Sequence, residues 1–139
     1  MIEENILFPK TTLIIGLRAI DEIEQKFLDD KKINYILMKD LKDDNSYNNL
    51  INKIKEFVEK LDSWYLSLDI DVLDSSCAPG TGYLEKDGMS SKNLKNILKN
   101  IKTYGNLKRI DLVEVNPDKD IDNKTIKCAK EILKIFSSL

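Results

Sequence analysis

Three aspartates follow a short apolar run in the middle of the chain, where residues 67–74 read SLDIDVLD. Asp69 and Asp71 are two residues apart, and in a β-strand such residues point to the same face. Ligands bind at the carboxyl ends of strands in open α/β sheets. Neighbouring carboxylates repel each other unless a proton or a cation lies between them, and their oxygens suit hard divalent ions such as Mn²⁺ or Mg²⁺. The pair therefore predicts a divalent metal site at a strand end.

The Asp69–Asp71 pair also has two other interpretations. The aspartates could simply end a strand, where they would be solvated or would cap nearby backbone N–H groups. An apolar strand followed by Asp-x-Asp also resembles the nucleophile motif of haloacid-dehalogenase-type phosphatases. That motif usually continues with Gly or Thr near the start of a chain, whereas here Val72 and a long loop with Pro and Gly follow at mid-chain.

The composition limits what this chain can do by itself. It has 22 Lys and Arg, 24 Asp and Glu, a formal net charge of −2 and no histidine. Histidine is the commonest metal ligand and general acid or base, so catalysis by this chain alone would need other groups. The mixed charges give no basic face for nucleic acid. No apolar run is long enough to span a membrane, and the polar, acidic start is not typical of a signal peptide. The separated cysteines, Cys77 and Cys128, indicate free thiols in a reducing cytoplasm.

Hydrophobic periodicity predicts four strand–helix units in series. Apolar, β-branched runs predict strands over residues 11–17, 34–38, 64–70 and 107–115, each followed by apolar residues at helical spacing. The helices are expected to begin near Asp21, at the N-cap Ser46, at Ser90 or Ser91, and near Asn123. Because the connections are too long for hairpins, this order predicts an α/β fold with a parallel sheet of about four strands covered by helices.

The length of 139 residues suits one domain, residues 1–139. The first predicted strand lies close to the N-terminus, with no helix before it. A parallel sheet usually needs both of its faces covered and its edges protected. We therefore expect the chain to be part of a larger doubly wound sheet.

Four segments together resemble the C-terminal signature of the ureohydrolases, the family of agmatinase and arginase. In chain order they read IGLRAID with Glu24, SLDIDVLDSSCAPGTG, DGMSS and DLVEVNPDKD. The family pattern is approximately S-x-D-x-D-x-L-D-P, then A-P-G-T-G, then D-x-x-E-x-N-P on the following strand. The segments cover the whole chain in the family's order. The resemblance implies the C-terminal half of the three-layer ureohydrolase fold.

The resemblance also implies roles for five acidic residues. Asp69 would bridge two Mn²⁺ ions, and Asp71 would be a ligand of one of them. Glu114 would pair with the substrate guanidinium, which a carboxylate recognises through two parallel hydrogen bonds; a structural ion pair is the alternative. Asp21 and Glu24 stand where arginase-like members contact the amino-acid end of the substrate, although a helix start favours acidic residues anyway. No catalytic residue is expected in this chain.

The implied reaction is hydrolysis of a guanidino C–N bond. In the family, two Mn²⁺ ions lower the pKa of a bridging water, and the resulting hydroxide attacks the guanidinium carbon to release urea and an amine. The A-P-G-T-G loop, in which Pro79, Gly80 and Gly82 are expected to shape the backbone, is more typical of agmatinase. Agmatine is therefore the expected substrate and arginine the alternative. Ser75 replaces a usual proline, and residues 83–84 replace a usual Thr-Pro, which could alter substrate fit.

The family's other metal ligands lie in Gly-Gly-Asp-His and Asp-x-His-x-Asp segments, which this sequence does not contain. Two aspartates cannot hold two metal ions, so we expect this half-chain alone to be inactive. The expected partners are a small guanidino substrate, a separate polypeptide that carries the N-terminal half, and further copies in a homo-oligomer. An inactive remnant and a non-catalytic α/β interaction module are the alternatives, because a fold can be reused without its function.

Overall fold

The computed structural model describes residues 7–137. The chain separates into a smaller compact unit that ends at Leu41 and a larger one that begins at Lys42. The strands are β1 (Leu13–Leu17), β2 (Asn34–Leu37), β3 (Trp64–Asp69) and β4 (Leu107–Val113). The helices are α1 (Glu22–Asp30), α2 (Asp44–Val58), α3 (Ser91–Ile101) and α4 (Lys124–Phe136). The predicted alternation of strands and helices is thus confirmed along the described residues.

The strands pair as two parallel sets. β1 pairs with β2, and β3 pairs with β4. Within each pair the connection contains a helix, α1 or α3, which is the kind of crossover that parallel strands need. The predicted α/β class with parallel strands and helices is confirmed. The four predicted strands form two two-stranded sheets.

The smaller unit has a core made from the end of α1 and the segments around β2. Its buried apolar side chains are Leu28, Ile33, Met38 and Leu41. Ile23, on α1, is 80% exposed. The apolar side of α1 is therefore only partly covered within residues 7–41.

The core of the larger unit lies between its three helices and the carboxyl end of β3. α3 packs against both α2 and α4. Leu50 on α2, Leu98 on α3 and Ile132 on α4 are each 1% exposed, and Ile70 just after β3 is fully buried. Within residues 7–137, no helix has both the length and the apolar character needed to cross a membrane.

The N-terminus of α2 differs from the prediction by three residues. The N-cap is Asp43, whose Oδ1 accepts a hydrogen bond from the Ser46 backbone N at 2.8 Å. The Ser46 Oγ in turn accepts from the Asp43 backbone N at 3.0 Å, which completes a capping box. The prediction of Ser46 as the N-cap was therefore wrong, because both residues are good caps and Asp43 starts the helix one turn earlier.

The cap of α3 is the first of the two predicted serines. Ser90 Oγ accepts from the Asn93 backbone N at 3.1 Å. Ser90→Ala is expected to lower the free energy of unfolding by about 1 kcal/mol. Ser91→Ala is the matched control, because Ser91 lies inside the helix and its hydroxyl makes only a 3.5 Å contact with Cys128 Sγ. Urea denaturation measures both variants, and an equal loss in the two would contradict the assignment of the cap.

Candidate functional site

The two predicted metal ligands lie at the carboxyl end of β3. The strand ends at Asp69, one residue earlier than predicted, and Ile70–Val72 form a 3-10 turn. Asp71 therefore lies in this turn, and the alternation of strand faces does not determine its position. Asp69 Oδ1 accepts a hydrogen bond from the Asp71 backbone N at 3.0 Å. Both residues are half-buried, and the first carboxylate helps to fix the backbone that carries the second.

Glu114 follows β4 at the same end of the strand pair. Asp69 and Val113 are Cα partners in the parallel register, so Glu114 comes one residue after the partner of Asp69. The φ angle of Glu114 is 61°, in the left-handed region. This conformation costs a non-glycine residue about 1–2 kcal/mol. Backbone strain of this kind persists only where the surrounding structure maintains it, and it is concentrated at functional sites.

The carboxylate of Glu114 is exposed and borders the A-P-G-T-G loop. A Cβ atom at Gly82 would lie 2.9 Å from Glu114 Oε2, so the loop backbone passes directly beside the carboxylate. Within the described residues, the Glu114 side chain forms no hydrogen bond or ion pair. The structural ion pair proposed as the alternative role of Glu114 is thus not found in residues 7–137. The arrangement leaves a carboxylate with room to bind a cation.

The loop beside Glu114 is anchored to the segment after β4. Gly80 N donates to Thr125 Oγ1 at 2.7 Å, and Gly80 O accepts from Asn116 N at 2.8 Å. A Cβ atom at Gly80 would lie 2.7 Å from Asp120 Cβ and 2.8 Å from Asn116 O. Only glycine permits this close approach. The loop and the start of α4 are therefore packed against each other, with Thr125 fully buried between them.

Asp120 holds the backbone at the start of α4. Its carboxylate accepts hydrogen bonds from the backbone N atoms of Thr125 and Ile126, each at 3.0 Å, and of Ile121 at 2.9 Å. Burial raises the pKa of Asp120, but these N–H groups and the Thr125 hydroxyl favour the charged form more strongly. The pKa of Asp120 therefore lies below its ordinary value of 3.8.

Protonation of Asp120 is expected to destabilise the folded chain. Because the folded-state pKa is depressed, the stability that Asp120 contributes is present above pH 3.8 and is lost as the pH falls through the folded-state value. Asp120→Asn should therefore be less stable than the parent at pH 7, and the difference should shrink at about pH 2.5. Urea denaturation at both pH values measures this, and a difference that does not change with pH would contradict the role of the charge.

Three other acidic residues of the motif segments have structural partners. Asp74 accepts hydrogen bonds from Ser76 N at 2.9 Å and from Gly88 N at 3.4 Å, and the second bond closes the loop. The hydrogen bonds from the side chain and backbone of Ser76 lower the pKa of Asp74. In the smaller unit, Asp21 Oδ1 accepts from Glu24 N at 2.7 Å, and Glu24 Oε2 accepts from Asp21 N at 3.2 Å. Asp21 and Glu24 thus form the capping box of α1. Their contact with a substrate stays a prediction.

The carboxylates at the end of β3 fit Mn²⁺ in chemical type but not in number. Asp69 and Asp71 offer hard oxygen donors, and one oxygen of Asp69 already accepts a backbone hydrogen bond. Across the described part of the chain, no group of three or more His, Cys, Asp or Glu residues could hold a metal ion. The residues present therefore supply at most one side of a metal site.

A family model described as the arginase family matches residues 1–137. The chain belongs to the arginase family. It is 36% identical over 123 residues to an arginase of Plasmodium berghei, an alignment that covers 86% of this chain and 34% of the relative. It is 31% identical over 137 residues to an arginase of Staphylococcus aureus, with 97% of this chain and 45% of the relative covered. The crystal structure of an arginase from Bacillus subtilis matches 91% of the chain and 45% of its own length, with a TM-score of 0.85 and 31% identity.

These comparisons confirm the ureohydrolase family and the arginase-like α/β fold that the four motif segments predicted. This arginase-family chain spans less than half the length of the two curated relatives, 34% and 45%. The roles of Asp69, Asp71 and Glu114 stay predictions at this point. Their shared position at one end of the β3–β4 pair is a property of the fold itself.

The residues that hold the loop in place were not predicted from the sequence. Gly80 and Gly82 were expected only to shape the loop, and no role was predicted for Asp120 or Thr125. An aspartate shortly before a predicted helix is a signal for a capping residue, so the role of Asp120 could have been found. The bond between Gly80 and Thr125 joins residues 45 positions apart, and no local pattern predicts it.

Proposed function

We propose that this chain contributes the guanidinium-binding part of a manganese-dependent ureohydrolase, which hydrolyses a guanidino C–N bond and releases urea. The supporting observation is Glu114, an exposed carboxylate held in left-handed backbone and without a hydrogen bond or ion pair among residues 7–137. A guanidinium group fits such a carboxylate through two charge-assisted hydrogen bonds. Membership of the arginase family supports the same class of reaction.

In this proposal, Asp69 and Asp71 provide two of the manganese ligands. Carboxylate oxygens are suitable donors for this ion, and both residues stand at the same sheet end as Glu114. When bound, Mn²⁺ would supply a water of lowered pKa as the nucleophile. We propose that the remaining ligands come from the part of the enzyme that carries the Gly-Gly-Asp-His and Asp-x-His-x-Asp segments. The chain alone would then release no urea.

Agmatine is the proposed substrate, and arginine is the second candidate. The A-P-G-T-G loop favours agmatine, whereas the names of the Plasmodium berghei and Staphylococcus aureus relatives favour arginine. A contact between Asp21 or Glu24 and the amino-acid end of a substrate would matter only for arginine. Their mutual capping box gives both carboxylates another use, which supports agmatine. We further propose that the assembly is a homo-oligomer in the cytoplasm, where Cys77 and Cys128 stay reduced as free thiols.

Urea release from agmatine and from arginine tests this proposal. The assay contains Mn²⁺, the chain and the histidine-bearing polypeptide, and we expect urea from agmatine at the higher rate. Faster hydrolysis of arginine would select the second substrate. No urea from either substrate would contradict the proposed reaction and would favour an inactive remnant or a non-catalytic interaction module.

A further inference from the structure

We infer that Thr125 is a positioning residue for the Glu114 carboxylate, because its buried hydroxyl fixes the backbone of Gly80 and thereby keeps Gly82 against Glu114. The functional meaning of this inference rests on the proposed guanidinium role of Glu114. The positioning itself can be measured without any ligand.

The first step is the bond between Thr125 and Gly80. Thr125 is fully buried, and its Oγ1 accepts the Gly80 N–H at 2.7 Å. A hydroxyl accepts through its lone pairs and keeps one proton to donate. Asp120 Oδ1 accepts a hydrogen bond from the Thr125 backbone N at 3.0 Å. The Gly80 amide is thus connected through Thr125 to a carboxylate that is itself fixed at the start of α4.

The second step leads from Gly80 to Gly82. Gly80 O accepts from Asn116 N at 2.8 Å, and Lys119 Nζ donates to Gly82 O at 3.2 Å. The backbone is therefore held on both sides of residue 81. At Gly82, a Cβ atom would lie 2.9 Å from Glu114 Oε2. A small displacement of the loop would change the space beside this carboxylate.

The third step separates Thr125 from the other anchors. Lys119 is exposed, so water can replace its bond to Gly82 O. Thr125 is fully buried, and without its hydroxyl the Gly80 N–H would lose its acceptor in a place that water does not reach. Serine at position 125 would keep the hydroxyl, whereas valine would keep the shape and remove it. This pair of substitutions isolates the hydroxyl.

The test is a comparison of ¹H–¹⁵N NMR spectra of the whole chain. In the parent, Glu114→Gln is expected to shift the Gly82 amide resonance, because the two groups are in contact. The same shift is expected in the Thr125→Ser background and should be lost in the Thr125→Val background. The inference would be overturned if Glu114→Gln still shifted the Gly82 amide resonance in the Thr125→Val background. It would also be overturned if the shift were lost in both the Thr125→Ser and the Thr125→Val backgrounds.

Amide hydrogen exchange on the unchanged chain gives a readout that does not depend on a folded variant. The Gly80 amide should exchange at least about 100-fold more slowly than that of Gly105, an exposed glycine in the turn before β4. Equal exchange rates at Gly80 and Gly105 would overturn the inference.

Titration with millimolar guanidinium chloride separates the positioning role from the proposed function. The dissociation constant should rise about tenfold or more for Thr125→Val and stay unchanged for Thr125→Ser. Equal affinity of the parent and the valine variant would overturn the inference and leave Glu114 as the binding group. If the parent does not bind guanidinium, the proposed role of Glu114 fails, and the Gly82 resonance still decides whether Thr125 positions the loop.

Discussion

Glu114→Gln is expected to weaken the binding of guanidinium to the chain by roughly 10- to 150-fold. Hydrogen bonds to a charged partner contribute about 1.5–3 kcal/mol, which corresponds to this range of affinities. The variant should fold normally, because the Glu114 side chain is exposed and forms no hydrogen bond or ion pair within residues 7–137. An NMR titration with guanidinium, in which the dissociation constant is compared with that of the parent, measures the effect.

Asp62→Asn is the matched control for this change. Asp62 is an exposed acidic residue just before β3, at the opposite end of the strand from Asp69. Its replacement removes the same unit of charge as Glu114→Gln, so a general attraction of cations would be weakened equally by both variants. An equal loss of affinity would contradict a specific role for Glu114, and we expect Asp62→Asn to bind guanidinium like the parent.

Gly80→Ala is expected to destabilise the chain strongly, whereas Gly82→Ala is expected to leave its stability almost unchanged. At position 80, the new methyl group would lie 2.8 Å from both Asp120 Cα and Asn116 O, which are backbone atoms. Overpacking of this kind costs about 1–3 kcal/mol. Displacement of the loop would also break the bond to Thr125, and an unsatisfied buried donor costs about 1–3 kcal/mol more.

Gly82→Ala meets a different neighbour. Its new methyl group would contact only Glu114 Oε2, at 2.9 Å. Because this atom is the end of a flexible, exposed side chain, Glu114 can rotate away from the methyl group at little cost in stability. The rotation would move its carboxylate from the position proposed to bind guanidinium. Urea denaturation and guanidinium titration of both variants test the pair. Equal losses of stability for Gly80→Ala and Gly82→Ala, or parent-like guanidinium binding by Gly82→Ala, would contradict this description of the loop.

The order of strands and helices could be predicted because each element has its own hydrophobic period. On α2, the apolar residues at helical spacing Leu50, Ile54 and Val58 are buried. On α1, Ile23 lies four residues before Phe27, at helical spacing, and is nevertheless 80% exposed. Periodicity shows which residues share a face, but not whether another element covers that face. For the same reason it predicts parallel strands without predicting which strands are neighbours, and the pairing of the four strands in two sets could not be foreseen.

The relation between Asp69 and Glu114 also followed from the sequence in part. Both residues are next to last in predicted parallel strands, 64–70 and 107–115, and the register places them at the same end. The 3-10 turn that contains Asp71 was not predicted. The strand stops at Asp69 and the chain turns, because the Asp69 carboxylate accepts a hydrogen bond from the Asp71 backbone N. The left-handed φ of Glu114 and its contact with Gly82 depend on tertiary packing, which local sequence patterns do not encode.

Urea release is the measurement that tests the central claim most directly. The claim is that this chain supplies Glu114, Asp69 and Asp71 to an active site whose other metal ligands lie outside these 139 residues. The 139-residue chain with Mn²⁺ and agmatine is expected to release no urea above the level of buffer. Addition of a polypeptide with the Gly-Gly-Asp-His and Asp-x-His-x-Asp segments is expected to produce urea, and Glu114→Gln should suppress it. Urea release by the chain alone, or none after that polypeptide has bound, would contradict the claim.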